Sequence, residues 1–282
     1  MKKLSILFLA TFFASCTTDF GNIEILSSLP NDLDEISGIE ITPKSPLLWM
    51  IDDHGNKPNL YGYNVSDKKV EKEIPVRGLK KIDWEDLASD EEGNLYIGDF
   101  GNNKSKRKDL AIYKLLNWQD TLKVYRSIFK FEDQTEYPPK DNSQSFDVEA
   151  FIATKNSFYI FTRNRTDGFD GTTSVYRIIN GPGQNDAVFL GKLKTCDDKS
   201  NCQITSAAID HATGKIALLS HDKVWIISDY PEGNLLEGAV KKIQLEHSSQ
   251  KESIAFGDSK TLYIVDERNG TEGGNLYKLT ID

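Results

Sequence analysis

Short apolar runs alternate with polar turns along this chain, and one order of runs recurs five times. Each recurrence opens at a small or acidic residue: Ser37, Glu85, Glu149, Thr205 and Glu252. An alternating stretch follows, then a turn rich in Gly, Asp, Asn or Lys. Next comes an apolar run: Leu48–Ile51, Leu95–Ile97, Phe158–Phe161, Ile216–Leu219 or Leu262–Val265. Each run stops at a polar residue, namely Asp52, Asp99, Thr162, Ser220 or Asp266. A third strand-like piece carries Tyr61, Tyr113, Tyr176, Trp225 or Tyr277. Alternation with period two predicts strands, and turns such as 90–94 and 211–215 predict hairpins.

A more polar fourth strand is expected over 69–76, 123–131, 187–193 and 241–245. Four antiparallel strands per repeat is the size of a propeller blade, so the fold predicted is an all-β, five-bladed β-propeller, with six blades as the alternative. The fifth repeat ends at Asp282 without a fourth strand. The early segment 22–26 belongs to no repeat, so it is expected to fill that place and close the ring. Around Pro138 and Pro139 an inserted loop is expected. Aromatic residues inside the second strands (Trp49, Tyr96, Tyr159, Tyr263) are expected in the core.

The first residues read as a leader. Lys2 and Lys3 precede an apolar stretch from Leu4 to Ala14 that is too short to span a bilayer. The divisions expected are a signal peptide over 1–15, a tether over 16–21 and the propeller over 22–282. Net charge is -9, and removal of Lys2 and Lys3 leaves -11. With no basic stripe legible, nucleic acid is not an expected partner. Cys196 and Cys202 lie six residues apart, and in an exported chain they are expected to form a disulfide.

In a propeller the first strands lie nearest the axis. Ser37, Glu85, Glu149, Thr205 and Glu252 are therefore expected to converge there. Crowded carboxylates raise one another's pKa or recruit a cation. Oxygen donors without Cys or His suit calcium better than magnesium or zinc; the alternative is a water-filled channel. The ends of the second strands fall on the same face. They are expected to bring Asp52, Asp53, His54, Asp99, Asn102, Arg163, Arg165, His221, Asp222, Asp266, Glu267 and Arg268 to one mouth. Asp52 or Asp99 as base, and Arg163 and Arg165 as charge stabilisers, are the catalytic candidates. The sequence contains no Gly-x-Ser-x-Gly elbow and no phosphate-cradling glycine loop.

Two kinds of resemblance carry further expectations. Phe13-Ala14-Ser15-Cys16 resembles a bacterial lipoprotein signal, which implies lipidation at Cys16 and an outer-membrane lipoprotein anchored in the cell envelope. Ser37-Gly38-Ile39, Glu85-Asp86-Leu87-Ala88, Thr205-Ser206-Ala207 and Glu252-Ser253-Ile254 with their hairpins resemble the SdiA-regulated family of exported propellers. That likeness implies five blades and no particular activity. More distantly, the axial set and Asp52-Asp53 are similar to calcium-activated nucleotidases (apyrases), with Thr205 in place of a serine and His54 in place of an arginine. The readings that follow are a propeller binding a small-molecule or protein ligand at its mouth with an axial calcium, a calcium-dependent hydrolase of phosphate esters or anhydrides, and a lactonase-like hydrolase.

Overall fold

The computed structural model describes residues 20–53, 57–140 and 145–282. His54, Cys16 and the leader lie outside them. Among the described residues, strands form five four-stranded antiparallel meanders. The first comprises β2 (Ile36–Thr42), β3 (Ser45–Asp52), β4 (Asn59–Asn64) and β5 (Lys69–Pro75), and the second β6 (Trp84–Ser89), β7 (Leu95–Asp99), β8 (Ala111–Leu116) and β9 (Lys123–Phe131). The third comprises β10 (Val148–Ala153), β11 (Ser157–Thr162), β12 (Thr172–Ile179) and β13 (Gly183–Lys194), and the fourth β14 (Ser206–Ile209), β15 (Ile216–Leu219), β16 (Lys223–Ser228) and β17 (Ala239–Gln244). The fifth has β18 (Lys251–Asp258), β19 (Thr261–Asp266) and β20 (Asn275–Thr280), and β1 (Glu24–Ser28) pairs antiparallel to β20 as its outer strand. The expected closure by the N-terminal segment is therefore present. No helix among these residues is long and apolar enough to cross a membrane.

The inner strands adjoin in a circuit, β2–β6–β10–β14–β18 and back to β2. Close approach is needed there. A Cβ on Gly38 would stand 2.7 Å from the Leu87 nitrogen, so only glycine lets β2 approach β6 this closely. Apolar faces of neighbouring meanders fill the spaces between them. Trp49, Trp84 and Leu115 belong to one such core, and Phe151, Phe158 and Tyr176 to the next. Trp49, Tyr96 and Tyr159 are buried as expected, and Tyr263 is half-buried. β13 also pairs in parallel with β9, which joins the outer edges of the second and third meanders and covers two edges together.

A buried polar hub ties the inner strands. Asp86 Oδ1 accepts from Leu87 N (3.0 Å) and Ser206 Oγ (3.0 Å), and Oδ2 accepts from Phe151 N (3.1 Å) and Ala207 N (3.4 Å). Ser206 Oγ lies 3.3 Å from Ser253 Oγ and accepts from Ile254 N, while Ser253 Oγ accepts from Ile39 N at 2.8 Å. Three side chains thus reach all five inner strands. A buried network of this kind specifies one arrangement because each broken bond strands a donor.

Cys196 and Cys202 form the expected disulfide, with Cα atoms 5.4 Å apart, around the one-turn helix α1 (Lys199–Cys202). The loop is short, so little chain entropy is removed. Reduction is expected to lower stability by only about 2 kcal/mol, read as a shift in urea midpoint with and without reductant.

Candidate metal centre

Four of the five opening residues sit at irregularities of the inner strands. The β2–β3 ladder shifts register between Ile36 and Gly38, that of β6–β7 between Trp84 and Asp86, that of β10–β11 between Val148 and Ala150, and that of β18–β19 between Lys251 and Ser253. The extra residue in each case is Ser37, Glu85, Glu149 or Glu252. A bulge re-aims its side chain. These four side chains line one chamber of about 240 Å³ with Glu35, Asp53, Asn103, Arg163, Arg165, Gln250 and Glu267. Thr205, expected with them, is not in the lining. It is buried, and its Oγ1 donates to Lys251 O at 2.8 Å, linking the fourth and fifth meanders.

Six carboxylates and two arginines line the chamber. The arginines are already committed. Arg163 Nη1 donates to Glu149 Oε2 at 3.0 Å and stands 3.9 Å from Glu252 Oε2. Arg165 donates to Asp147 through Nε and to Glu149 Oε1 through Nη2 at 2.7 Å. Glu149 therefore has two guanidinium partners. Burial opposes the Arg163 charge, but Glu149 and Glu252 outweigh it and hold the guanidinium protonated.

A second group of acids meets beside the chamber. Oxygens of Asp53, Asp83 and Glu85 lie within 4.8 Å of one another. Burial raises Glu85 well above the ordinary carboxylate range, and Glu149, Asp53, Asp147 and Asp83 raise it further. Burial also lifts Glu252 to about 8, with Arg163 opposing and Glu149 assisting, and lifts Asp147 to about 7. Ser37 is 94% buried and its Oγ has no hydrogen-bond partner among the described residues. Gly101 lies against this group, for a Cβ there would collide with the Glu85 and Asp83 carboxylates. Close-set oxygens, strongly raised acids and an unpartnered hydroxyl suit a hard divalent cation.

Other residues expected at the mouth are placed elsewhere by strand alternation. Asp52 and Asp53 are adjacent and face different surroundings. Asp53 lines the chamber, whereas Asp52 is buried with both carboxylate oxygens unpartnered among the described residues. Burial raises Asp52 to about 7, and Lys81 opposes that rise. Asp99 is structural: it accepts from Ile82 N and Asp83 N at 3.2 Å and from Arg107 Nη2 at 2.8 Å. Asp266 accepts from Asn275 N and Tyr277 OH, both at 2.7 Å, and Arg268 Nη2 donates to Leu29 O at 2.8 Å. His221 is outside the lining; its buried Nε2 has no partner among the described residues, and burial, then Arg163 and Lys251, lower it to about 4. The catalytic candidates thus do not form one constellation. Asp83 is absent from the expected set, although its place two residues before Glu85 was visible.

Gly101→Ala is expected to weaken divalent-cation binding at least tenfold, as the added carbon displaces Glu85 and Asp83. Calorimetric titration of the variant checks this, with its unfolding curve as the control for folding.

The fold defines the class as a β-propeller. The PQQ-bound aldose sugar dehydrogenase from Streptomyces coelicolor is similar in structure, with a TM-score of 0.54 and 12% identity over 93% of this chain and 98% of that one. A glucose dehydrogenase gives 0.52 and 10% identity over 92% and 99%. At such identity the likeness establishes the fold and not the chemistry. No protein-family model matches the chain, and no curated protein matches it in sequence.

Proposed function

We propose that this domain is a divalent-cation-binding propeller, and that Asp53, Asp83 and Glu85 hold the ion with Ser37 nearby. The observation carrying this reading is the meeting of three carboxylates beside a chamber that has more acids than arginines. The donor set favours calcium: only oxygens are offered, and calcium accepts irregular oxygen shells completed by water. When bound, the ion would supply a positive charge that draws anionic groups to the mouth. Gln250 and Glu252 would shape that approach from β18 and its preceding turn.

The chamber's size supports a hydrated ion over an enclosed organic ligand. About 240 Å³ corresponds to roughly eight waters at their liquid volume, below the usual range of small-molecule pockets. A small-molecule or protein ligand would therefore sit across the mouth. Hydrolysis of phosphate esters gains less support, because Arg163 and Arg165 are paired with Glu149, Asp147 and Glu252 in place of a phosphoryl group. Lactone hydrolysis has no residue set of its own here. We place the domain at the bacterial outer membrane as a lipoprotein of the SdiA-regulated type, on the Cys16 motif and the repeat motifs.

Calcium titration by calorimetry tests the site. One ion per chain is expected, with binding lost in Asp83→Asn and retained in Asp67→Asn, an exposed acid in the β4–β5 turn at the far end. Equal binding by wild type and Asp83→Asn would refute the assignment.

A further inference from the structure

Two connections beside the chamber carry a concentration of positive charge that the acidic composition conceals. Residues 76–83 join β5 to β6, and residues 100–110 join β7 to β8. The sequence separates them by a hairpin, and the fold sets them together. Gly101 N donates to Asp83 O at 3.3 Å, and Asp99 accepts from Ile82 N, Asp83 N and Arg107. Together they contain Arg77, Lys80, Lys81, Lys104, Lys106, Arg107 and Lys108 against Asp83 and Asp109. Arg107 is spent on Asp99 and Asp109. Arg77, Lys80, Lys104, Lys106 and Lys108 are exposed, and none has an ion-pair partner among the described residues. In a chain of net charge -9 this segregation is marked.

The chain's entry lies on the same side. The β15–β16 turn and the connection from β17 to β18 are at the mouth end of their meanders, since Leu219 pairs with Ser206 and Gln244 with Lys223. Asn22 N donates to Leu245 O at 2.8 Å, and Phe20 packs on His247 with ring centroids 5.3 Å apart. Only three residues separate Phe20 from Cys16, which reach at most about 14 Å. An anchor at Cys16 therefore holds this side of the domain near a bilayer.

We propose that the edge of the domain formed by these two connections docks on an anionic phospholipid surface through Arg77, Lys80, Lys104, Lys106 and Lys108. The choice of a lipid surface rests on the lipidation reading at Cys16, and the basic patch supplies the second attachment that one lipid anchor needs. Basic residues near an anionic membrane attract it within a Debye length, so five on neighbouring loops act together.

The test uses a chain begun at Thr17, which keeps every described element and carries no lipid. It is floated with vesicles of pure phosphatidylcholine or of phosphatidylcholine with 30% phosphatidylglycerol, in chelator so that no cation bridges protein to lipid. Binding to the anionic vesicles alone is expected, falling at least about tenfold in the triple variant Lys80→Glu, Lys104→Glu, Lys106→Glu and at high salt. Reversal of Lys68, Lys155 and Lys260, exposed in turns at the far end, is expected to change binding less than twofold, and melting curves identify any unfolded variant. No binding to anionic vesicles, or equal loss in both triple variants, overturns the proposal. So does tighter salt-dependent binding to single-stranded DNA than to the vesicles. Chelator separates this outcome from the cation site, and vesicle binding without lipid separates it from the anchor.

Discussion

Asp86→Ala is expected to destabilise the domain by about 4 kcal/mol and to lower its melting temperature by roughly 10 °C. The substitution removes the acceptor for Leu87 N, Phe151 N, Ser206 Oγ and Ala207 N at once, in a place fully closed to solvent. A stranded buried donor costs about 1–3 kcal/mol, and the three shorter bonds dominate. Water from the cavity left behind recovers part of the loss. Ser253→Ala should cost less, about 1–2 kcal/mol, because it strands chiefly Ile39 N. Denaturant unfolding of both variants checks the order. A loss below about 1 kcal/mol for Asp86→Ala would mean that the apolar faces alone close the ring.

The second large effect is a stability that falls as pH rises, and that calcium reverses. Glu252 is lifted from 4.5 to about 8, and Asp147 from 3.8 to about 7, in each case first by burial. Away from the chamber, burial also lifts Glu40 to about 8. A raised folded pKa means that the native state holds protons the unfolded chain has released. The stability these three groups contribute is therefore complete below about pH 4 and is lost as pH climbs through 7 to 8, each retained proton contributing on the order of 1.4 kcal/mol per pH unit within its window. A divalent ion held by Asp53, Asp83 and Glu85 competes with the proton that burial retains on Glu85, and its charge favours the ionised forms of Glu252 and Asp147 nearby. In chelator the melting temperature is expected to fall between pH 5 and pH 8; with millimolar calcium the rise should be small at pH 5 and large at pH 8. A melting temperature that climbs with pH in chelator would show that these acids are ionised in the folded state without any cation.

The architecture was legible because its signals are local. Apolar runs such as Leu95–Ile97 and Phe158–Phe161 lie within strands, and the turns between them are short. The ring of opening residues was legible in part: bulges turn Ser37, Glu85, Glu149 and Glu252 into the chamber, whereas Thr205 satisfies itself on the neighbouring meander. Strand ends proved a coarser guide. Residues that finish the second strands lie at the right height, but pleating and packing decide where they face, so Asp53 reaches the chamber while Asp52, Asp99 and Asp266 are buried.

Other features needed the third dimension. The hub carried a faint signal, since Gly38, Asp86, Ala150, Ser206 and Ser253 follow the opening residues and all are small or polar. That Asp86 alone gathers donors from three strands comes from the circuit, not from spacing. The basic patch was hidden for a similar reason. Its halves flank the apolar β6–β7 hairpin, so in sequence the acidic stretch 85–99 lies between them.

The most direct measurement is anomalous diffraction from crystals grown with terbium as a calcium substitute at pH 8. One strong peak is expected within coordinating distance of Asp53, Asp83 and Glu85, absent in Asp83→Asn crystals of the same form. A chamber without a peak, or a peak held by Glu149 and Glu252 after displacement of Arg163, would contradict the assigned site.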